Sequence, residues 1–395
     1  MRELEVSSPG KVILYGEHAV VFGKTALAVS INLRTKLTIK EGTDYLVVKF
    51  PDMNKVYTWR LEELTQLRES LCLDTCTQIP TPADAETIEG MRDFVTSSCN
   101  NNTDSDSGIV AFLYLYMRLF SALPPLAVNL SSEIPIGAGL GSSAAMSVCF
   151  SSSLVLYSNL LNEQNTGNGN CKENGHDTRT RRKEIEINPE KRQLISDWAF
   201  MAEKIMHGTP SGIDNSVSTF GGALAYRSGE MLPVSDLSGL QILLVNTKVP
   251  RNTRELVSAV RNRHILLPKV IGPIFDAIER ITQTAISSLQ ASAIKGFKGC
   301  QEEFRTLENL IDINQGLLAG LGVSHPALGR VVEIFAGNSI HAKLTGAGGG
   351  GFALGLITPY VQRQQVEKSR HELEDLGFPC YETQIGGSGV RAWYS

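Results

Sequence analysis

Residues 135–145 read Pro-Ile-Gly-Ala-Gly-Leu-Gly-Ser-Ser-Ala-Ala, and this run constrains the fold more than any other. An apolar stretch at 126–131 precedes it and a long Ala/Ser/Val/Leu stretch at 143–161 follows, so the order strand, glycine loop, helix is imposed locally. Such a loop is built for an anion. Gly137, Gly139 and Gly141 let backbone N–H groups turn toward one point, Ala138 and Leu140 keep the loop slim or anchored, and the helix N-terminus adds its positive end. Ser142 and Ser143 can cap the helix, and a serine hydroxyl there can also reach a phosphate-bound magnesium ion. A glycine-rich turn feeding a packing helix has the same letters, and the loop alone does not separate the two.

At 395 residues the chain exceeds one small core, so two domains are expected, 1–230 and 231–395, with a compositional seam near 228–238. In the first half, strands are expected at 4–6 and 11–14 around a turn at Ser7-Ser8-Pro9-Gly10, then at 26–30, 35–39, 45–50 and 221–226, with buried helices at 109–123, 143–161 and 187–206. Residues 162–183, rich in Asn, Gly, Thr and charge, read as an exposed insertion. The second half is mainly helical, with apolar strands at 240–245, 341–345, 352–357, 381–385 and 390–394; it reads as α+β with an antiparallel sheet.

A formal net charge of -4 leaves no broad basic field for nucleic acid or acidic lipid, so attraction for an anionic ligand has to be local. No segment reads as long and apolar enough to cross a bilayer, and the first residues lack the apolar core of a signal peptide, which leads to the expectation of a cytoplasmic protein. Seven cysteines with no CxxC pair read as reduced packing thiols, and Cys72 with Cys76 lacks a histidine at finger spacing.

Two motifs are near misses. Gly16 and Gly23-Lys24-Thr25 mimic a Walker loop, but six residues separate the glycines where four are needed, and the following residues read as strand. Gly346, Gly348 and Gly351 satisfy GxGxxG, the fingerprint of dinucleotide-dependent oxidoreductases. That fingerprint must open a helix, and Phe352 to Ile357 reads instead as a strand, which makes the run a glycine hairpin able to line a phosphate site from the opposite side.

Taken together, PGKVILYGEHAVVFGK at 9–24, PIGAGLGSSAA at 135–145 and KLTGAGGGGF at 343–352 resemble the three signatures of the GHMP kinases, the small-molecule kinases named for galactose, homoserine, mevalonate and phosphomevalonate. With HGTPSGIDNSVSTFGG at 207–222 and NTKVPRNT at 246–253, the blocks are most similar to the branch whose acceptor is mevalonate. The resemblance implies an α+β, two-domain GHMP kinase fold, the N-terminal domain like the second domain of ribosomal protein S5 and the C-terminal domain ferredoxin-like. It implies ATP-dependent phosphorylation of the mevalonate C5 hydroxyl in isoprenoid and sterol biosynthesis, a homodimer, inhibition by isoprenoid diphosphates, no nucleic-acid or membrane partner, and a peroxisomal fraction in some relatives.

Carried residue by residue, it makes Lys11, Ser132 and Gly137, Ala138, Gly139, Leu140, Gly141, Ser142 and Ser143 the ATP site, Ser143 and Glu203 the Mg2+ ligands, and Glu17, His18, Arg251 and Thr253 the acceptor side. Asp214 becomes the catalytic carboxylate and Lys11 the ammonium beside it. Phosphoryl transfer rewards this set, since it needs in-line placement and positive charge more than covalent help. A carboxylate paired with an ammonium is a weak base, so general-base and orienting roles for Asp214 both stay open. The rivals are a GHMP kinase for another alcohol, a dinucleotide-dependent oxidoreductase, which requires a helix after Gly351, and a non-catalytic sensor, which has no use for Lys11, Glu203 and Asp214.

Overall fold

Alternating apolar residues draw the N-terminal segment into the longest strand pair of the protein. β1 (Leu4–Tyr15) and β2 (Ala26–Glu41) run antiparallel from Leu4 opposite Ile39 to Tyr15 opposite Leu27. The turn expected at residues 7–10 is absent. The register slips between Pro9 and Gly10 instead, so the strand bends and continues. Proline supplies no donor and glycine no side chain, which suits a bulge, and long β2 offers a partner on both sides of it. The same length of β2 merges the two strands expected at 26–30 and 35–39.

The computed structural model describes residues 3–73, 79–98, 107–135, 137–165, 182–234, 240–295 and 300–394. Most of the insertion expected at 162–183 lies outside them, as does Cys76. After β2 come β3 (Tyr45–Phe50), β4 (Lys55–Arg60), α1 (Leu61–Ser70), α2 (Ala85–Ser98), α3 (Ser107–Leu119), β5 (Leu126–Ser132) and α4 (Ser142–Asn165). Next are β6 (Lys183–Ile185), α5 (Pro189–His207), α6 (Ile213–Phe220), β7 (Ala223–Arg227), β8 (Glu230–Pro233) and β9 (Gln241–Asn246). The remainder is α7 (Thr253–Leu266), α8 (Pro268–Lys295), α9 (Gln301–Gly320), α10 (Pro326–Gly337), β10 (Ala342–Leu344), β11 (Phe352–Ile357), α11 (Arg363–Asp375), β12 (Cys380–Gln384) and β13 (Arg391–Tyr394).

The first sheet runs β4-β3-β5-β2-β1-β13-β6, with β7 on β2 and β8 on β7; the second runs β10-β11-β9-β12. The halves interleave. β8 straddles the boundary expected at residue 230 and still pairs with β7, while β13 returns to pair with β1. One apolar cluster takes Val12, Leu27 and Val29 from the first sheet together with Ile242, Leu244, Phe304 and Phe352 from the second half.

Helices α3, α4 and α5 form the main core, with Phe112, Phe150 and Trp198 fully buried. By length and composition α4 is apolar enough to cross a bilayer, contrary to the sequence reading; most of that stretch is buried inside the fold, as a core helix is. Its serines fit there because they bond back to the helix: Ser151 to the Ser147 carbonyl at 2.8 Å and Ser153 to that of Phe150 at 3.0 Å. Phe150 meets Phe112 edge-to-face with centroids 5.1 Å apart. Phe112→Ala is therefore expected to cost about 3–5 kcal/mol in urea unfolding while leaving the active-site geometry in place.

Candidate active site

Lys11 lies just past the β1 bulge and is held at both ends. Its N–H donates to the Leu140 carbonyl at 2.8 Å, and its ammonium meets the Asp214 carboxylate at 3.0 Å. The first contact needs Gly10, because a Cβ there would stand 2.7 Å from the Leu140 oxygen. The glycine loop is thus docked on the strand. Gly141 has φ +75°, and a side chain there would press on the Lys11 stem at 2.9 Å, so the loop also fits around the lysine.

Asp214 opens α6 directly after Gly212 and Ile213 and is partly exposed, while Lys11 is almost fully buried. Ser143, in the first turn of α4, faces α5: its Oγ is 3.0 Å from His207 Nε2 and 3.5 Å from Glu203 Oε2. The other Glu203 oxygen accepts from Ser147 at 3.0 Å. Burial pushes the Glu203 carboxyl up to about 7, with the nearby Asp214 charge adding to the shift and the serine bonds opposing it.

A cavity of about 410 Å³ adjoins the loop. Gly137, Ala138, Gly139, Gly141, Ser142 and Ser143 border it on one side, with Ser132, His207 and Asp214. Its apolar wall is Phe50, Met53, Leu130 and Met146. Ser132 is pinned by its N–H to Asp52 at 2.7 Å and by its hydroxyl to Thr35 at 2.8 Å. A second cavity, about 420 Å³, shares Gly139 and Asp214 with the first and is bordered by Lys11, Glu17, His18, Arg251, Thr253, Gly346 and Ala347. Asp214 stands where the two meet.

On that second side Arg251 bridges the two glycine runs, donating to the Ala138 carbonyl at 2.8 Å and the Thr345 carbonyl at 3.3 Å. His18 Nε2 bonds the Ala347 carbonyl at 2.8 Å, and burial holds this imidazole below its ordinary value, so it enters the site neutral. Thr253 begins α7, whose N-cap is Asn252. Glu17 departs from expectation: its side chain is wholly buried and ion-paired with Lys343, so the residue frames the cavity while its carboxylate points to an internal partner.

The hairpin at 346–351 joins β10 to β11, so a strand follows Gly351 and the dinucleotide reading is excluded. Lys24 and Thr25 turn away from any phosphate loop, toward Asp276 and Glu279 on α8. Sequence reasoning set His207 and Lys343 inside motif blocks but gave neither a role in the site. The first stands four residues after Glu203 on one helix face, a legible spacing; no spacing links Lys343 to Glu17.

Chemically, the loop amides and Lys11 can hold a triphosphate, and Ser143 with Glu203 offers hard oxygen donors. Among the described residues no cluster of three or more His, Cys, Asp or Glu could hold a metal. A buried acid without a full counter-charge fits the role of such a donor.

Residues 108–167 match the GHMP kinases N terminal domain and residues 291–375 the GHMP kinases C terminal domain. The chain is 40% identical over 394 residues to mevalonate kinase of Homo sapiens, covering 98% of this chain and 94% of that protein. To mevalonate kinase of Arabidopsis thaliana it is 34% identical over 403 residues, covering 99% and 100%. The crystal structure of L. major mevalonate kinase in complex with R-mevalonate has the same fold, with a TM-score of 0.65 at 22% identity over 97% of this chain and 96% of that one.

The Glu203 environment gives a pH signature. A carboxyl whose folded value is raised binds its proton more tightly in the native state, so native stability is lost as pH rises from the unfolded value toward about 7. In the ligand-free protein, Glu203→Gln is expected to remove a stability decline of at most about 1.4 kcal/mol per pH unit between roughly pH 4.5 and 7, read by urea unfolding across that range.

Proposed function

Because the chain belongs to the GHMP kinases, within their mevalonate kinase branch, we infer that it transfers the γ-phosphoryl group of ATP to the C5 hydroxyl of mevalonate. The single observation that carries the reading is the Lys11–Asp214 bridge at 3.0 Å, standing where the loop cavity opens into the cavity bordered by Arg251 and His18. The nucleotide takes the first cavity, its phosphates over Gly137 to Ser143 and its base against Phe50, Met53, Leu130 and Met146. Mevalonate takes the second. Arg251 keeps donors beyond the two it spends on carbonyls and pairs with the acceptor carboxylate, while His18 and Thr253 meet hydroxyls.

Asp214 accepts a hydrogen bond from the C5 hydroxyl and fixes its line of approach. The transition state of such transfers is loose, so the proton passes to the Asp214 carboxylate as the new O–P bond forms rather than before it. Lys11 serves two partners: it orients the Asp214 carboxylate, and it neutralises charge on the equatorial oxygens of the moving group. Ser143 and Glu203 would hold Mg2+, which would supply positive charge against that of the phosphates.

Two further readings rest on two different surfaces. The loop beside an apolar wall also suits an isoprenoid diphosphate, which makes such compounds inhibitors competitive with ATP. A homodimer fits the exposed apolar ridge of Ile265, Leu266, Leu267 and Val270 at the α7–α8 junction, a feature that solitary surfaces seldom carry.

Steady-state kinetics with mevalonate and MgATP test the assignment. Asp214→Ala is expected to lower kcat by at least about a thousandfold with the KM for ATP little changed; normal turnover in that variant defeats the catalytic role, and an inert wild type defeats the substrate. Farnesyl diphosphate is expected to raise the apparent KM for ATP without lowering the rate at saturating ATP, and a purely noncompetitive pattern would disprove the shared site.

A further inference from the structure

Glu17 and Lys343 lie 326 positions apart, yet their side chains are in direct contact and both have 0% exposure. We propose that Lys343 is a positioning residue for the acceptor alcohol, its bond to Glu17 setting the separation of the two loops that wall the acceptor cavity. The inference rests on the kinase reading above and deepens it.

The argument begins with what each partner precedes. Glu17 is followed by His18, which borders the acceptor cavity with φ +60°, a backbone conformation that needs its surroundings to hold it. Lys343 ends two residues before Thr345, at the start of the glycine hairpin that forms the opposite wall. Around the ion pair, His18 bonds the Ala347 carbonyl at 2.8 Å and the Thr345 hydroxyl bonds the Ile13 carbonyl at 2.8 Å. Three polar links thus join the β1 loop to the hairpin, and the charged one lies deepest.

The pair is tightly specified. The Lys343 ammonium also donates to the Leu344 carbonyl at 2.8 Å, and the second Glu17 oxygen accepts from Asn314 on α9 at 3.2 Å. Burial pushes the Glu17 carboxyl up and the Lys343 ammonium down, so the link persists as a hydrogen bond whichever partner holds the proton.

Stability does not account for it. Removing two charges from water is costly, and buried ion pairs can commonly be exchanged for packed apolar side chains with no loss of stability. What an apolar contact lacks is a fixed distance. Phosphoryl transfer is sensitive to that distance, because a small misplacement of the acceptor costs orders of magnitude in rate.

The test compares wild type, Glu17→Met/Lys343→Met and Asn314→Ala by melting temperature and by steady-state kinetics with mevalonate and MgATP. The double variant is expected to keep a melting temperature near wild type and a normal KM for ATP while kcat falls at saturating mevalonate and kcat/KM for mevalonate falls at least about tenfold. Asn314→Ala, which removes one bond to Glu17 and leaves the ion pair, is expected to lower the same quantities severalfold. A double variant with unchanged kcat and kcat/KM for mevalonate, or with both KM values raised alike and kcat unchanged, overturns the inference. Should the double variant not fold, unchanged kcat and kcat/KM for mevalonate in Asn314→Ala overturn it equally. A wild type that binds nucleotide and leaves mevalonate untouched overturns the functional reading and the inference together, whereas active wild type with indifferent variants overturns the inference alone.

Discussion

The attachment of Lys11 at both its main chain and its ammonium is the constraint on which the site depends. A residue at a strand bulge holds the phosphate loop through its N–H and the first turn of α6 through its side chain. Loop, helix and strand are therefore referenced to one point, and Asp214 cannot drift relative to the glycine loop without breaking a bond of Lys11. The bulge is what makes this possible. A regular strand with a side chain at position 10 would hold the Leu140 carbonyl away.

Three carboxylates show how environment divides labour in a chain with little net charge. Asp214 is partly exposed beside an ammonium and is free to meet a hydroxyl. Glu203 is buried among serine hydroxyls with His207 Nε2 3.9 Å from one of its oxygens, and burial disfavours its ionised form. Glu17 is sealed against Lys343, its side chain away from solvent. The same functional group stands in three different states of burial and counter-charge within one site.

Local structure was legible wherever one stretch of chain determined it. The strand, loop and helix around residues 135–145, the long helices of the second half and the strand after Gly351 all follow from periodicity and glycine placement. Breaks were overread at Ser7-Ser8-Pro9-Gly10 and in β2, because a turn signal inside a strand with a long partner yields a bulge. The length and apolar content of α4 were underread, and what makes it a core element is that most of it is buried inside the fold. In the site, the polar blocks could be found by motif and His207 by its spacing from Glu203. The burial of Glu17 could not, since its partner lies in another part of the chain and only tertiary packing joins them.

The return of β13 to the side of β1 bears on how the molecule is made. On the ribosome the first strand emerges early with one of its edges unfilled, and Leu4 through Ser7 wait for Arg391 through Tyr394 before that edge is covered. An open edge is an invitation to pair with a neighbouring nascent chain. Synthesis of this protein thus carries an interval of exposure as long as it takes to make the residues between those two strands, and conditions that slow elongation or crowd unfinished copies together should tax its yield before they touch its activity.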